Sequence, residues 1–104
     1  VIGEGVQIMA GVIIQTGASI GQGSIVNTGA SIDHDCSIGQ NCHLAPGVVL
    51  SGCVDIGSGT HVGTGSVIVQ GISIGTDSIV AAGSVVYKNI VSNTTLIQKK
   101  NFLK

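Results

Sequence analysis

Residues 20–38 read Ile20-Gly21-Gln22-Gly23-Ser24-Ile25-Val26-Asn27-Thr28-Gly29-Ala30-Ser31-Ile32-Asp33-His34-Asp35-Cys36-Ser37-Ile38, with an aliphatic residue at every sixth position. Extending the step both ways adds Ile2, Ile8 and Ile14 before the stretch, and Leu44, Leu50, Ile56, Val62, Ile68, Ile74, Val80 and Val86 after it, fifteen aliphatics in all. The residue three places after each is Gly, Asn or Asp in fourteen of the fifteen hexapeptides, Cys53 being the exception. These are the residue types that accept a left-handed backbone, so that column marks a turn corner. The residue four places after each aliphatic is small or β-branched (Val6, Ala18, Ser24, Cys36, Cys42, Thr60 and their equivalents). It stands two residues before the next aliphatic and points inward with it, as strand alternation requires. Gly3, Gly21, Gly39, Gly57 and Gly75 recur at eighteen-residue steps, so three hexapeptides make one coil. The sequence thus predicts an all-β fold, a three-sided parallel β-helix of five coils (2–19, 20–37, 38–55, 56–73, 74–91), followed by a C-terminal tail, 92–104.

Composition agrees. The chain has 104 residues, 17 glycines, one proline, one Tyr and one Phe. That much glycine with so few bulky side chains argues against a helical bundle. Disorder is excluded by a hydrophobic content of 43% with a net charge of −1. No apolar run approaches the roughly 20 residues of a membrane span. The opening Val1-Ile2-Gly3-Glu4-Gly5 carries no basic leader, so no secretory signal is expected. Cys36, Cys42 and Cys53 are odd in number and lack a C-x-x-C pair, which reads as reduced thiols in a cytoplasmic protein. All five acids precede Val85 and the four lysines (Lys88, Lys99, Lys100, Lys104) lie from the last coil onward, too few for nucleic-acid binding but placed to meet an anion such as a nucleotide phosphate.

The outward columns carry the functional signal. Ile13, Ser31, Val49, Val67 and Val85 form an apolar stripe on one face, the mark of an interface. His43 and His61 stack one coil apart on another face. His34 stands at a corner between Asp33 and Asp35; a carboxylate beside a histidine can fix its tautomer and favour the imidazolium, which suits a general base. His34 and His43 are separated by a whole side of the prism, roughly 20 Å of extended chain. Pro46, Thr64 and Ala82 form a groove of small residues at the corner past His43. Cys36 and Cys42 point inward and are poor nucleophiles; Cys53, at a corner, is less easily dismissed.

The uninterrupted [LIV]-[GAED]-x-x-[STAVC]-x pattern over residues 1–91 resembles the hexapeptide-repeat acyltransferase superfamily, which implies a left-handed β-helix. The segment Asn27–Cys36 with His43 is similar to its sugar acetyltransferase branch, the bacillosamine and perosamine N-acetyltransferases and sialic acid O-acetyltransferases. That resemblance implies an acetyl-CoA-dependent transfer to an amine or hydroxyl of a sugar or nucleotide sugar, without a metal. It implies His34 as base with Asp35 raising its basicity, and His43 at the acetyl end of acetyl-CoA. Gly52, Thr64 and Ala82 are implied along the cofactor and Asn27 near the acceptor. A homotrimer with intersubunit sites, and a sugar-binding domain preceding Val1, are expected on the same ground. The tail lacks the family's usual Gly-x-Pro-Ala ending. Two other functions use this scaffold. A zinc enzyme of the γ-carbonic anhydrase type needs three histidines, but the intervals here, 9 and 18, differ from that family's. An ice-binding solenoid needs a ladder of outward threonines, and the corner column runs Thr16, His34, Gly52, Gln70, Lys88 instead.

Overall fold

A computed structural model describes residues 1–98 of the chain. They form a left-handed parallel β-helix with no α-helix, hence none long and apolar enough to cross a membrane. Its strands are two residues long, and consecutive strands belong to different faces. The first face stacks Gln7–Ile8, Ile25–Val26, His43–Leu44, His61–Val62, Ile79–Val80 and Thr95–Leu96; the second stacks Ile13–Ile14, Ser31–Ile32, Val49–Leu50, Val67–Ile68 and Val85–Val86. The third holds Ser19–Ile20, Ser37–Ile38, Asp55–Ile56 and Ser73–Ile74, extended by single bridges from Ile2 and Ile90. The pairing keeps the eighteen-residue register read from the repeat, as in Gln7↔Ile25, Ile25↔His43 and His43↔His61.

The aliphatic column forms the core. From Ile20 to Val86 every one of its members is buried. The first three differ from expectation: Ile2 and Ile8 remain 49% and 44% exposed and Ile14 is half-buried, because in the first coil they are packed by a neighbouring coil on one side only. The small inward column adds a hydroxyl ladder. Ser24 Oγ donates to the Gly39 carbonyl at 2.8 Å and accepts from Cys42 N at 3.0 Å, and Thr60 repeats the pattern with Gly75 and Ser78. The hydroxyls of Ser24, Thr60, Ser66 and Ser78 thus link neighbouring coils, Ser84 Oγ donates to Ala81 within its own coil, and no buried side-chain nitrogen or oxygen among the described residues lacks a partner.

The corner column takes positive φ at fourteen of the fifteen expected positions, including Asp35 (57°) and Cys53 (58°). Asn89 departs from it. The turn after Val86 is two residues short, so Ile90 bridges Ile74 and Thr95 pairs with Ile79, sixteen residues apart. Asn89 instead accepts a 2.8 Å bond from Ser73 N, Asn93 becomes the left-handed corner at 61°, and the parallel pairing runs on past residue 91 to Leu96. The strand-marking glycines have a simple cause: a Cβ on Gly21 would fall 2.5 Å from the Gly39 carbonyl of the next coil. Lys99, Lys100 and Lys104 lie outside the described residues, so of the expected cationic end only Lys88, exposed on the last coil, is seen.

Candidate active site

Three corners separate the faces, and the sequence-predicted residues divide between two regions of the prism. Asn27, His43, Thr64 and Ala82 lie on the first face or the corner leading from it to the second. His34, Asp35 and Gly52 lie on the corner between the second and third faces, which is the edge opposite the first face. Within one chain the structure therefore brings His34 to Asp35 and Gly52, and His43 to Asn27, but keeps the two groups on opposite sides of the core.

The His34 corner is built from three successive coils. Asp33 Oδ1 accepts the His34 backbone N–H at 2.7 Å, and the His34 carbonyl accepts Cys53 N at 2.9 Å, which ties the residue into the turn. Asp35 Oδ2 lies 3.1 Å from His34 Nδ1. An ionised carboxylate only accepts, so this contact places the proton on Nδ1 and leaves Nε2 with its lone pair free. The imidazole lies over Gly52, where a Cβ would stand 2.7 Å from its Cε1 and closer still to Nε2; glycine is needed here for the ring, since φ is not positive. Asp35 in turn covers Gly17 of the preceding coil. The side chains of His34 and Asp35 are 46% and 62% exposed, open to a molecule approaching from outside.

The His43 group is more enclosed. Thr28 N and Oγ1 both donate to Asn27 Oδ1, at 2.8 and 3.2 Å, which fixes the Asn27 amide with Nδ2 toward His43 Nε2 at 3.3 Å. His43 therefore accepts at Nε2 and carries its proton on Nδ1. Burial, and secondarily the His61 imidazole one coil on, hold His43 below its ordinary value near 6.5; the two rings meet edge to face with centroids 4.7 Å apart. His43 is thus a neutral donor, chemically distinct from His34. The Thr64 and Ala82 positions beside it are exposed, as a groove along that corner requires. Cys36 and Cys42 are buried, donate to the carbonyls of Ser51 and Gly57, both at 3.1 Å, and are pushed up by desolvation.

Two family models cover most of this prism. One, described as bacterial transferase hexapeptide (six repeats), matches residues 1–34 and 17–52, and another, hexapeptide repeat of succinyl-transferase, matches 53–88. The chain belongs to the hexapeptide-repeat transferases. No curated protein matches it by sequence comparison. Among solved structures of such transferases, it is 37% identical to the acetyltransferase domain of PglB from Neisseria gonorrhoeae FA1090 in complex with acetyl coenzyme A, with a TM-score of 0.90, covering 91% of this chain and 46% of that one. PerB from Caulobacter crescentus, in complex with CoA and GDP-perosamine, is 44% identical with a TM-score of 0.90, over 90% of this chain and 45% of that one. A maltose O-acetyltransferase from Clostridium difficile 630, at 24% identity and a TM-score of 0.81 over 89% and 62% of the two chains, shares the fold. The chain spans about half the length of the first two.

Within one chain the three histidines are not gathered at one place: His43 and His61 are neighbours, and His34 is on the opposite edge. Cys53, which its corner position leaves open as a nucleophile, is brought to the His34–Asp35 pair, a neighbourhood not assigned from the sequence alone. One eighteen-residue step from Asp35, its Sγ comes within 4.8 Å of ligand atoms of both His34 and Asp35. The same step that places Gly52 under His34 was the available signal.

Proposed function

We propose that the chain is the transferase part of an acetyl-CoA-dependent acetyltransferase that acts on an amine or hydroxyl of a sugar or nucleotide sugar, with His34 as general base. The observation that carries this reading is the Asp35–His34 contact of 3.1 Å on an open corner, with Nε2 left free over a glycine. The likeness to PglB and PerB supports it, since those proteins are an acetyltransferase domain bound to acetyl coenzyme A and a protein bound to CoA with GDP-perosamine. Acetyl-CoA would supply the activated thioester.

In this reading His34 Nε2 takes the proton of the acceptor amine or hydroxyl as it attacks, and Asp35 stabilises the resulting imidazolium. His43, neutral and protonated on Nδ1, is the donor for the acetyl oxygen, with Asn27 holding its ring and lying near the acceptor. The Gly52 amide is a second donor beside the base, and Thr64 and Ala82 line the path of the pantetheine arm. Because His34 and His43 stand on opposite sides of one prism, the complete site is formed between subunits of a homotrimer. Ile13, Val49 and Val85, exposed on the second face, supply an apolar interface. The three free thiols fit a reducing, cytoplasmic setting.

Release of free CoA thiol, followed against a panel of nucleotide 4-amino sugars and sialic acids, tests the activity. His34→Ala should lower kcat by about 10²- to 10⁴-fold with an unchanged melting temperature. Mixed oligomers of His34→Ala and His43→Ala subunits should regain part of the activity. Full turnover by His34→Ala would remove the base assignment, and absence of rescue in verified mixed oligomers would remove the intersubunit site.

A further inference from the structure

Cys53 is the one member of the left-handed corner column that is not Gly, Asn or Asp, and it is held at φ 58°. Such a backbone is unfavourable for a residue with an ordinary Cβ, and residues kept in that state concentrate at functional sites. Its thiol is exposed, whereas those of Cys36 and Cys42 are buried. It also faces the two groups already paired at this corner: one His34 nitrogen, one Asp35 oxygen and Cys53 Sγ lie within 4.8 Å of one another.

Imidazole, carboxylate and thiolate are the ligand set of tetrahedral zinc. Bond lengths of about 2.0–2.2 Å put nitrogen and oxygen ligands about 3.4 Å apart, and a nitrogen and a thiolate sulfur about 3.6 Å apart. The His34 Nδ1 to Asp35 Oδ2 distance of 3.1 Å is already close to the first of these edges; an ion would take the Nδ1 lone pair and leave the imidazole proton on Nε2, the nitrogen assigned as base. Side-chain rotation would close the second, because the His34 side chain is 46% exposed and the Cys53 thiol is exposed.

We propose that His34, Asp35 and Cys53 form a binding site for a thiophilic divalent cation of the zinc type, its fourth position open to water, and that ion binding and general-base action at His34 exclude one another. The exclusion rests on the assignment of His34 as base; the site does not.

The test uses the reduced full chain, titrated with Co²⁺ as a spectroscopic substitute and with Zn²⁺ against a chromophoric chelator. One equivalent per chain should bind, Co²⁺ giving a near-ultraviolet thiolate-to-metal band that Zn²⁺ displaces. Cys53→Gly and Cys53→Asn, both suited to a left-handed corner, should abolish the band and weaken zinc by at least about tenfold, given that loss of outer supporting groups alone costs about 10- to 100-fold. Asp77→Asn, at a different left-handed corner, should leave band and affinity unchanged. Persistence of the band in Cys53→Gly, loss of binding in Asp77→Asn, or no saturable binding overturns the site. Saturating zinc should abolish acetyl transfer, with EDTA restoring it. Zinc bound at the corner without loss of transfer refutes the exclusion and counts against His34 as base, while leaving the site standing.

Discussion

Gly52→Ala separates the scaffold from the chemistry. The added methyl would stand 2.7 Å from Cε1 and 3.1 Å from Cδ2 of the His34 ring, with Nε2 nearer still, and its three nearest neighbours are all atoms of that ring. Ordinary carbon contacts begin at about 3.5 Å, so the imidazole must move by on the order of 1 Å, while the coil stays where it is. A displacement of that size at a catalytic group costs about 10²-fold in rate, or about 2.7 kcal/mol of transition-state stabilisation. The folded state should scarcely notice. The backbone at Gly52 does not have positive φ, and replacing such a glycine by alanine gains about 0.4–1 kcal/mol through the unfolded chain. Against this stands the lost contact between His34 and Asp35, exposed and worth about 0–1 kcal/mol. The assay is release of CoA thiol at saturating acetyl-CoA, alongside urea unfolding of the same preparation. Activity near wild type, or a loss of more than about 2 kcal/mol in stability, would refute the reasoning, since either would mean that Gly52 does not act through the position of His34.

Further measurements test other parts of the structure. Gly21→Ala should be poorly tolerated, because its Cβ would meet backbone of the next coil at 2.5 Å; a loss of about 1–3 kcal/mol in urea unfolding is expected, and an unchanged midpoint would contradict the coil spacing. His43 is held below its ordinary value, so the unfolded chain binds a proton more readily than the folded one. Its contribution to stability is present above about pH 6.5 and is lost as pH falls through the folded value; His43→Gln should flatten stability between about pH 7 and pH 5. Burial raises the Cys36 and Cys42 thiols, so iodoacetamide should label Cys53 first, read by mass spectrometry, and faster labelling at either buried cysteine would contradict the inward assignment.

The repeat made the fold legible because strands alternate strictly and the coil length is constant over most of the chain. Once Ile20, Val26 and Ile32 are inward, the outward side of Ser31 and His43 and the corner place of His34 follow without coordinates. Vertical neighbours are legible for the same reason, since any residue meets the one eighteen places on, as Gly52 meets His34 and His61 meets His43. The rule breaks after Val86, where a turn two residues short moves the aliphatic column to Ile90 and Leu96; the unbroken step falls on Ser92 and Gln98, neither of them aliphatic, which was the available signal.

Local reach decided the rest. Asp35 Oδ2 turns to His34 Nδ1, Thr28 anchors Asn27 so that its amide nitrogen faces His43, and Cys53 points back toward the His34–Asp35 pair. None of these is periodic, because each depends on a side-chain torsion and on the hydrogen bond that holds it. The sequence by itself determined the coil, the inward and outward columns and the corner on which His34 stands, through backbone geometry that repeats. Only the tertiary structure decided which nitrogen of His34 and of His43 carries the proton, because that depends on how Asp35 and Asn27 turn toward the two rings.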